Sequence, residues 1–158
     1  MNYWLFKSEP DAFGIQHLMA RPKKTGHWDG VRNYQARNFM RDAMRKGDLG
    51  FFYHSSCAEP GITGIVEIVR AGYPDHTAFD PEDSHYDPKS TREKPLWYMV
   101  DVRLKRAFKN PITLQAMKRC PALKGMQLLA RGNRLSVMPV TKRDWDFILK
   151  LESESPEK

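Results

Sequence analysis

Apolar residues in this chain recur in short runs and two-residue alternations, with few of the stripes that mark long helices, and the pattern predicts strands joined by short helices. Residues 3–6, Tyr-Trp-Leu-Phe, form a continuous apolar run closed by Glu9 and Pro10, as in a buried strand. Residues 13–19 place Phe13, Ile15, Leu18 and Met19 at mixed spacing, which predicts a short helix ended by Arg21-Pro22. Between 34 and 46, Phe39, Ala43 and Met44 fall near one helical face and Arg37, Arg41 and Arg45 on another, until Lys46-Gly47-Asp48 stops the helix. Residues 49–54 and 62–71 carry β-branched and aromatic side chains with glycines between them and read as strands.

Residues 74–95 hold Asp, Pro, Ser and His but few aliphatics, so a long surface loop is expected there. Residues 96–105 predict a long strand with Tyr98, Val100, Val102 and Leu104 on its core face. The stretch 113–120 predicts a helix stopped by Pro121, and 135–140 alternate as the last strand. Thr141 can cap a final helix that turns Trp145, Ile148, Leu149 and Leu151 inward. A polar tail, 152–158, is expected to fray. Strand pairs and helices outside a strict βαβ alternation argue an α+β fold, a curved sheet or small barrel flanked by helices.

The length of 158 residues suits one domain, expected over 1–151. No apolar stretch approaches the roughly 20 residues that a membrane-spanning helix needs. Residues 1–9 lack a basic segment and a long apolar core, so no secretory signal is expected. Two cysteines, Cys57 and Cys120, fit a reduced cytoplasm better than a disulfide framework.

Charge changes the picture more than length does. The net charge is +7, and between 101 and 143, where Lys and Arg recur, Asp101 is the one acid. A second basic stretch lies between Arg21 and Lys46, while acids gather between Asp75 and Glu93. This asymmetry favours a polyanionic partner, because each phosphate neutralised by Lys or Arg releases condensed counterions. A solvated basic surface is the bland alternative.

Three segments join unusual residues at strand ends or loops: Lys7-Ser8-Glu9-Pro10, the stretch from His27 to Arg37, and Tyr53-His54-Ser55-Ser56. The second offers a Trp, a Gly turn, then Arg, Asn and Tyr before a basic helix, which supplies a stacking plane beside edge-reading polar groups. Trp28 can equally be core, and Asn33 a helix cap.

The segments 3–10, 28–38 (with Trp-Asp-Gly-Val-Arg-Asn-Tyr over 28–34), 51–55, 96–102 and 131–140 (Arg-Gly-Asn-Arg-Leu-Ser-Val-Met-Pro-Val) resemble the EVE domain, in the bacterial form of the thymocyte nuclear protein family. The resemblance runs in order through nearly the whole chain. It implies a PUA-like pseudo-barrel related to YTH and ASCH domains, and binding of nucleic acid, DNA or RNA, that carries a modified base such as methylated or hydroxymethylated cytosine. Carried over residue by residue, it implies a base-binding cleft lined by Lys7, Ser8, Trp28, Asn33, Tyr34, His54, Ser55, Trp97 and Ser136. Arg32, Arg37, Arg131 and Arg134 are implied as phosphate ligands on its rim. In such a cleft Trp28 stacks on a flipped base, and its loss is expected to cost binding and leave the fold intact.

Each residue has a structural rival: Lys7 snorkelling, Ser8 capping a turn, His54 satisfied at a strand end, Trp97 in the core, Arg134 anchoring the last strand. An enzyme alternative, an ASCH-like hydrolase or ribonuclease, would use Lys7, Ser8 and Glu9. Against it, neither a Gly-x-Ser-x-Gly elbow nor a paired-carboxylate spacing is present, and no catalytic residue is assigned. His54 and Cys57 form the only close His/Cys pair, so no metal is expected, and without a Walker or dinucleotide motif no cofactor either. A monomer is expected.

Overall fold

The computed structural model describes residues 1–154. Six strands form one mixed sheet: β1 (Tyr3–Ser8), β2 (Thr25–His27), β3 (Leu49–His54), β4 (Gly61–Pro74), β5 (Tyr98–Thr113) and β6 (Val137–Val140), in the order β2-β5-β4-β3-β1-β6. β1 runs parallel to β3 and antiparallel to β6, which makes it an interior strand. That position explains why Trp4, Leu5 and Phe6 are consecutive and all buried, since both faces of β1 are covered. β2 and β6 are edges not hydrogen-bonded to one another, so the sheet is open and the expected pseudo-barrel is not closed by backbone pairing.

Among the described residues, five α-helical segments lie around the sheet: α1 (Pro10–Phe13), α2 (Ile15–Ala20), α3 (Tyr34–Asn38), α4 (Leu114–Lys118) and α5 (Lys142–Ser153). Thr141 caps α5 by accepting from the Asp144 amide. Its Trp145 stacks on Tyr3 at 4.6 Å and Phe51 at 4.0 Å, which fastens the helix to β1 and β3. The predicted inward positions Trp145 and Ile148 are buried, while Leu149 and Leu151 pack at the margin of the core.

The helix expected over 34–46 changes character midway. After α3 the chain makes a π-helical turn, Phe39–Ala43, in which the Met44 amide donates to the Phe39 carbonyl five residues back. The wider turn shifts the helical phase, so Met40 and Met44 are fully inside while Phe39 and Ala43 lie half-buried.

On β5, Val100, Val102 and Leu104 are buried as the alternation predicts, but Tyr98 is half-exposed and Met99 is buried on the opposite face. β5 also continues well past 105. It passes Pro111 at a register irregularity between Ala107 and Ile112, where a missing amide costs no ladder bond. The loop expected over 74–95 contains a 3-10 turn, His76–Phe79. The tail was expected from 152, but α5 runs through Ser153; 155–158 lie outside the described residues.

Candidate nucleic-acid interface

The end of β1, α1 and the loop after β2 enclose a cleft of about 320 Å³, lined by Lys7, Ser8, Ala12, Phe13, Arg21, His27, Trp28, Asp29, Val31, His85 and Ser136. The Lys7 amide donates to the Ser136 carbonyl at 2.7 Å, which brings the approach to β6 against the end of β1. The Trp28 amide donates to the Val100 carbonyl at 2.8 Å and holds the following loop on β5.

That loop is fastened from the other side by a buried acid. Asp75 is fully inside and accepts from the Gly30 amide at 2.8 Å, the Arg32 guanidinium at 3.0 Å and the Thr77 hydroxyl at 2.6 Å. Burial alone would raise the pKa of Asp75; the Thr77, Gly30 and Arg32 donors outweigh it and hold the carboxyl below its ordinary range. Arg32 also donates twice to the His85 carbonyl, so Arg32 and Asp75 together bring the loop over 80–90 to the cleft mouth.

Trp28 faces the cleft but belongs to the core. It is 6% exposed and meets Phe6 at 5.1 Å, Phe52 at 5.4 Å and Phe13 at 5.9 Å, all edge-on. The expectation that its loss leaves the fold intact is therefore corrected: removing this indole opens a void among three rings. Lys7 and Ser8 are half-buried, and burial lowers the Lys7 pKa from its ordinary value.

Of the nine expected base-binding residues, Lys7, Ser8, Trp28 and Ser136 line this cleft. Asn33 does not: its side chain accepts from the Ala36 amide and caps α3. His54 lines a separate small cavity behind α2, where its Nε2 accepts from the Ile15 amide at 3.1 Å, and burial lowers its pKa. That bond needs the unprotonated ring. The Ser55 amide donates to the Ser8 carbonyl, which ties two strand ends without reaching the cleft lining.

Tyr34 and Trp97 form a cluster of their own, stacked at 4.9 Å. Trp97 is buried and donates its indole N–H to Asp87 at 2.7 Å; Tyr34 is 58% exposed. Arg37 lies over the Tyr34 ring and donates to the Leu96 carbonyl. Arg32 is occupied by Asp75 and His85 and serves as a strut, which corrects its expected place among rim phosphate ligands. Arg131 and Arg134 are exposed, without an ion-pair partner among the described residues. Glu9 is exposed and its carbonyl accepts from the Ala12 and Phe13 amides; among the described residues no base hydrogen-bonds the Ser8 hydroxyl. Nor is any group of three or more His, Cys, Asp or Glu side chains there disposed to hold a metal.

Residues 2–151 match the EVE domain family. The chain belongs to that family. Thymocyte nuclear protein 1 of Danio rerio is 49% identical over 170 residues, covering 97% of this chain and 73% of that protein. A crystal structure from Pseudomonas syringae is 51% identical with a TM-score of 0.90, over 95% of this chain and 99% of that one. Human THYN1 protein, in complex with 5-methylcytosine-containing DNA, is 46% identical with a TM-score of 0.92, over 99% of this chain and 100% of that one. A YTH domain from Zygosaccharomyces rouxii shares the fold at a TM-score of 0.54 and 13% identity, over 99% of this EVE chain and 87% of that one. No helix among the described residues of this EVE protein is long and apolar enough to cross a membrane.

Within the EVE cleft, sequence reasoning missed Phe13, Arg21, His27, Asp29 and His85. Asp29 and His27 lie inside the 27–37 segment, beside the more conspicuous Trp28. His85 carried no signal, because only the fold brings its loop to Gly30.

Proposed function

We propose that this protein binds nucleic acid at a modified base of the methylated-cytosine type, flipped out of the strand and held in the cleft between Lys7, Ser8, Trp28 and Ser136. The observation that carries the reading is the human relative, matched over 99% of this chain, whose structure holds 5-methylcytosine-containing DNA. The cleft's size supports it: about 320 Å³ is at the small end of ligand pockets, roughly 300–1,000 Å³, and suits one base better than a base pair. Phe13 and Trp28 supply apolar wall to replace lost stacking, and the polar groups supply partners for the base edge.

Arg131 and Arg134 hold phosphates, joined by the Nη2 of Arg37, whose Nε and Nη1 are taken by Asn38 and the Leu96 carbonyl, and the exposed Tyr34, flanked by Trp97 and Arg37, borders the strand's path outside the cleft. The chain acts as a monomer in the cytoplasm, on DNA first and on RNA where the same base is presented; its free cysteines, Cys57 and Cys120, suit that compartment. The test is a titration with one oligonucleotide in four forms: 5-methylcytosine, cytosine, an abasic site at the same position, and the RNA counterpart. The methylated form binds tightest and the abasic form loses most. Equal binding of the methylated and abasic forms would sink the proposal.

A further inference from the structure

Among the described residues, Asp29 is the one carboxylate that lines the cleft. Its side chain is 28% exposed, and its nearest nitrogen partners, His27 Nε2 and His85 Nδ1, both stand at 3.7 Å. That is beyond hydrogen-bonding distance, so its acceptor capacity is unused among the described residues. The residue is also firmly placed. The chain is held one residue before it by the Trp28 amide on the Val100 carbonyl, and the peptide after it by the Gly30 amide on Asp75, each at 2.8 Å. Around the same cleft, Lys7, Ser8 and Ser136 bring hydrogen donors that make no side-chain hydrogen bond within the described residues.

One fixed acceptor among donors is a pattern that tells pyrimidines apart. Cytosine-type bases present an exocyclic amine, a donor, beside two acceptors, the ring N3 and O2. Thymine and uracil present a carbonyl where the amine stood and an N–H where N3 was. A carboxylate accepts from the amine but sets its lone pairs against those of the carbonyl. The discrimination therefore includes a repulsive element as well as an attractive one. We infer that Asp29 is a specificity-determining residue of the cleft, accepting from the exocyclic amine of a cytosine-type base and rejecting the keto pyrimidines. This rests on the modified-base function proposed above and adds to it the chemistry of base choice.

The most direct probe pairs 5-methylcytosine with thymine, which carry the same 5-methyl group and differ only along the base-pairing edge. Two oligonucleotides identical except for that base are titrated against the native protein, Asp29→Asn and Asp29→Ala, with thermal melts confirming that each variant is folded. The native protein prefers 5-methylcytosine by about tenfold or more, the factor a good base-edge contact supplies. In Asp29→Asn the preference falls below about threefold, because an amide can accept or donate; Asp29→Ala, which adds no new contact, gives the same collapse. Removing a negative charge can tighten both oligonucleotides together, so the ratio is the readout. If the native ratio is near one, or if both folded variants keep the native ratio, Asp29 does not choose the base, and modified-base binding stands without it. If neither oligonucleotide binds better than its abasic counterpart, the proposed function itself falls and takes this inference with it.

Discussion

The His85 ring is packed so closely on Gly30 that a β-carbon added there would lie 2.6 Å from its Cε1. Gly30 also has φ +79°, a left-handed conformation that costs an L-residue with a β-carbon about 1–2 kcal/mol. Gly30→Ala therefore carries two penalties, backbone strain and displacement of the half-exposed His85 from the cleft mouth. Chemical denaturation is expected to show a loss of at least about 1–2 kcal/mol. His85→Ala in the same chain recovers only what exceeds the backbone share. A Gly30→Ala protein as stable as the native one would contradict this geometry.

Trp28→Ala loses folding stability. Its indole is enclosed edge-on by Phe6, Phe13 and Phe52, and truncating a buried aromatic to alanine costs about 3–5 kcal/mol. Trp28→Phe keeps a ring in place and loses less. A melting temperature unchanged in Trp28→Ala would place the indole outside the core.

The two kinds of arginine separate by experiment. Arg32→Ala removes the cation beside fully buried Asp75, and breaking such a pair costs about 3 kcal/mol, the low end for buried pairs because Arg32 keeps some solvent. Arg131→Ala touches no ion pair among the described residues and leaves stability alone. If Arg131 holds a phosphate, the slope of log affinity against log salt falls by about one in that variant, uniformly across sequences. A salt slope unchanged in Arg131→Ala would remove it from the interface.

Two acid-sensitive groups inside the fold, His54 and Asp75, contribute to the pH response in separate ranges. His54 binds its proton more weakly folded than unfolded, because burial disfavours the cation and its Nε2 accepts from Ile15. Its contribution is present above the ordinary value of 6.5 and is lost as pH falls below it, through the lowered folded value. Asp75 has the same sign lower down: its contribution is present above 3.8 and is lost as pH falls further. Melting temperatures followed from pH 8 to 3 decline in two stages, and His54→Gln flattens the first. A native profile with no decline between pH 7 and 5 would contradict the His54 assignment.

Local pattern carried much of the sheet. The run 3–6 and the alternation through Val100, Val102 and Leu104 state strand and face directly, because burial on one or both faces leaves a period in the sequence. β2 left none: Thr25-Gly26-His27 is three residues long, and its pairing with β5 is decided by β5. The site was legible in part for a similar reason. Lys7, Ser8 and Ser136 sit where strands end, so their polarity beside apolar runs marks them. Arg32 and Asp75 pair across 43 residues, and nothing local distinguishes a strut from a phosphate ligand. Trp28 shows the limit most plainly, since an indole between a wet cleft and a packed core has one sequence signature for both roles.

Occlusion of the cleft tests the central claim most directly. Ala12 is exposed on α1 and lines the cleft, so Ala12→Trp places bulk in the opening without entering the core. Affinity for a 5-methylcytosine oligonucleotide, measured beside its unmethylated twin, decides the matter. The native protein is expected to prefer the methylated form by about fourfold, the worth of one buried methyl at about 0.8 kcal/mol. Ala12→Trp, with its melting temperature unchanged, is expected to lose that preference and about tenfold or more in affinity, as a stacked base is worth about 1–3 kcal/mol. Native-like affinity and preference in folded Ala12→Trp would mean that the base is bound elsewhere.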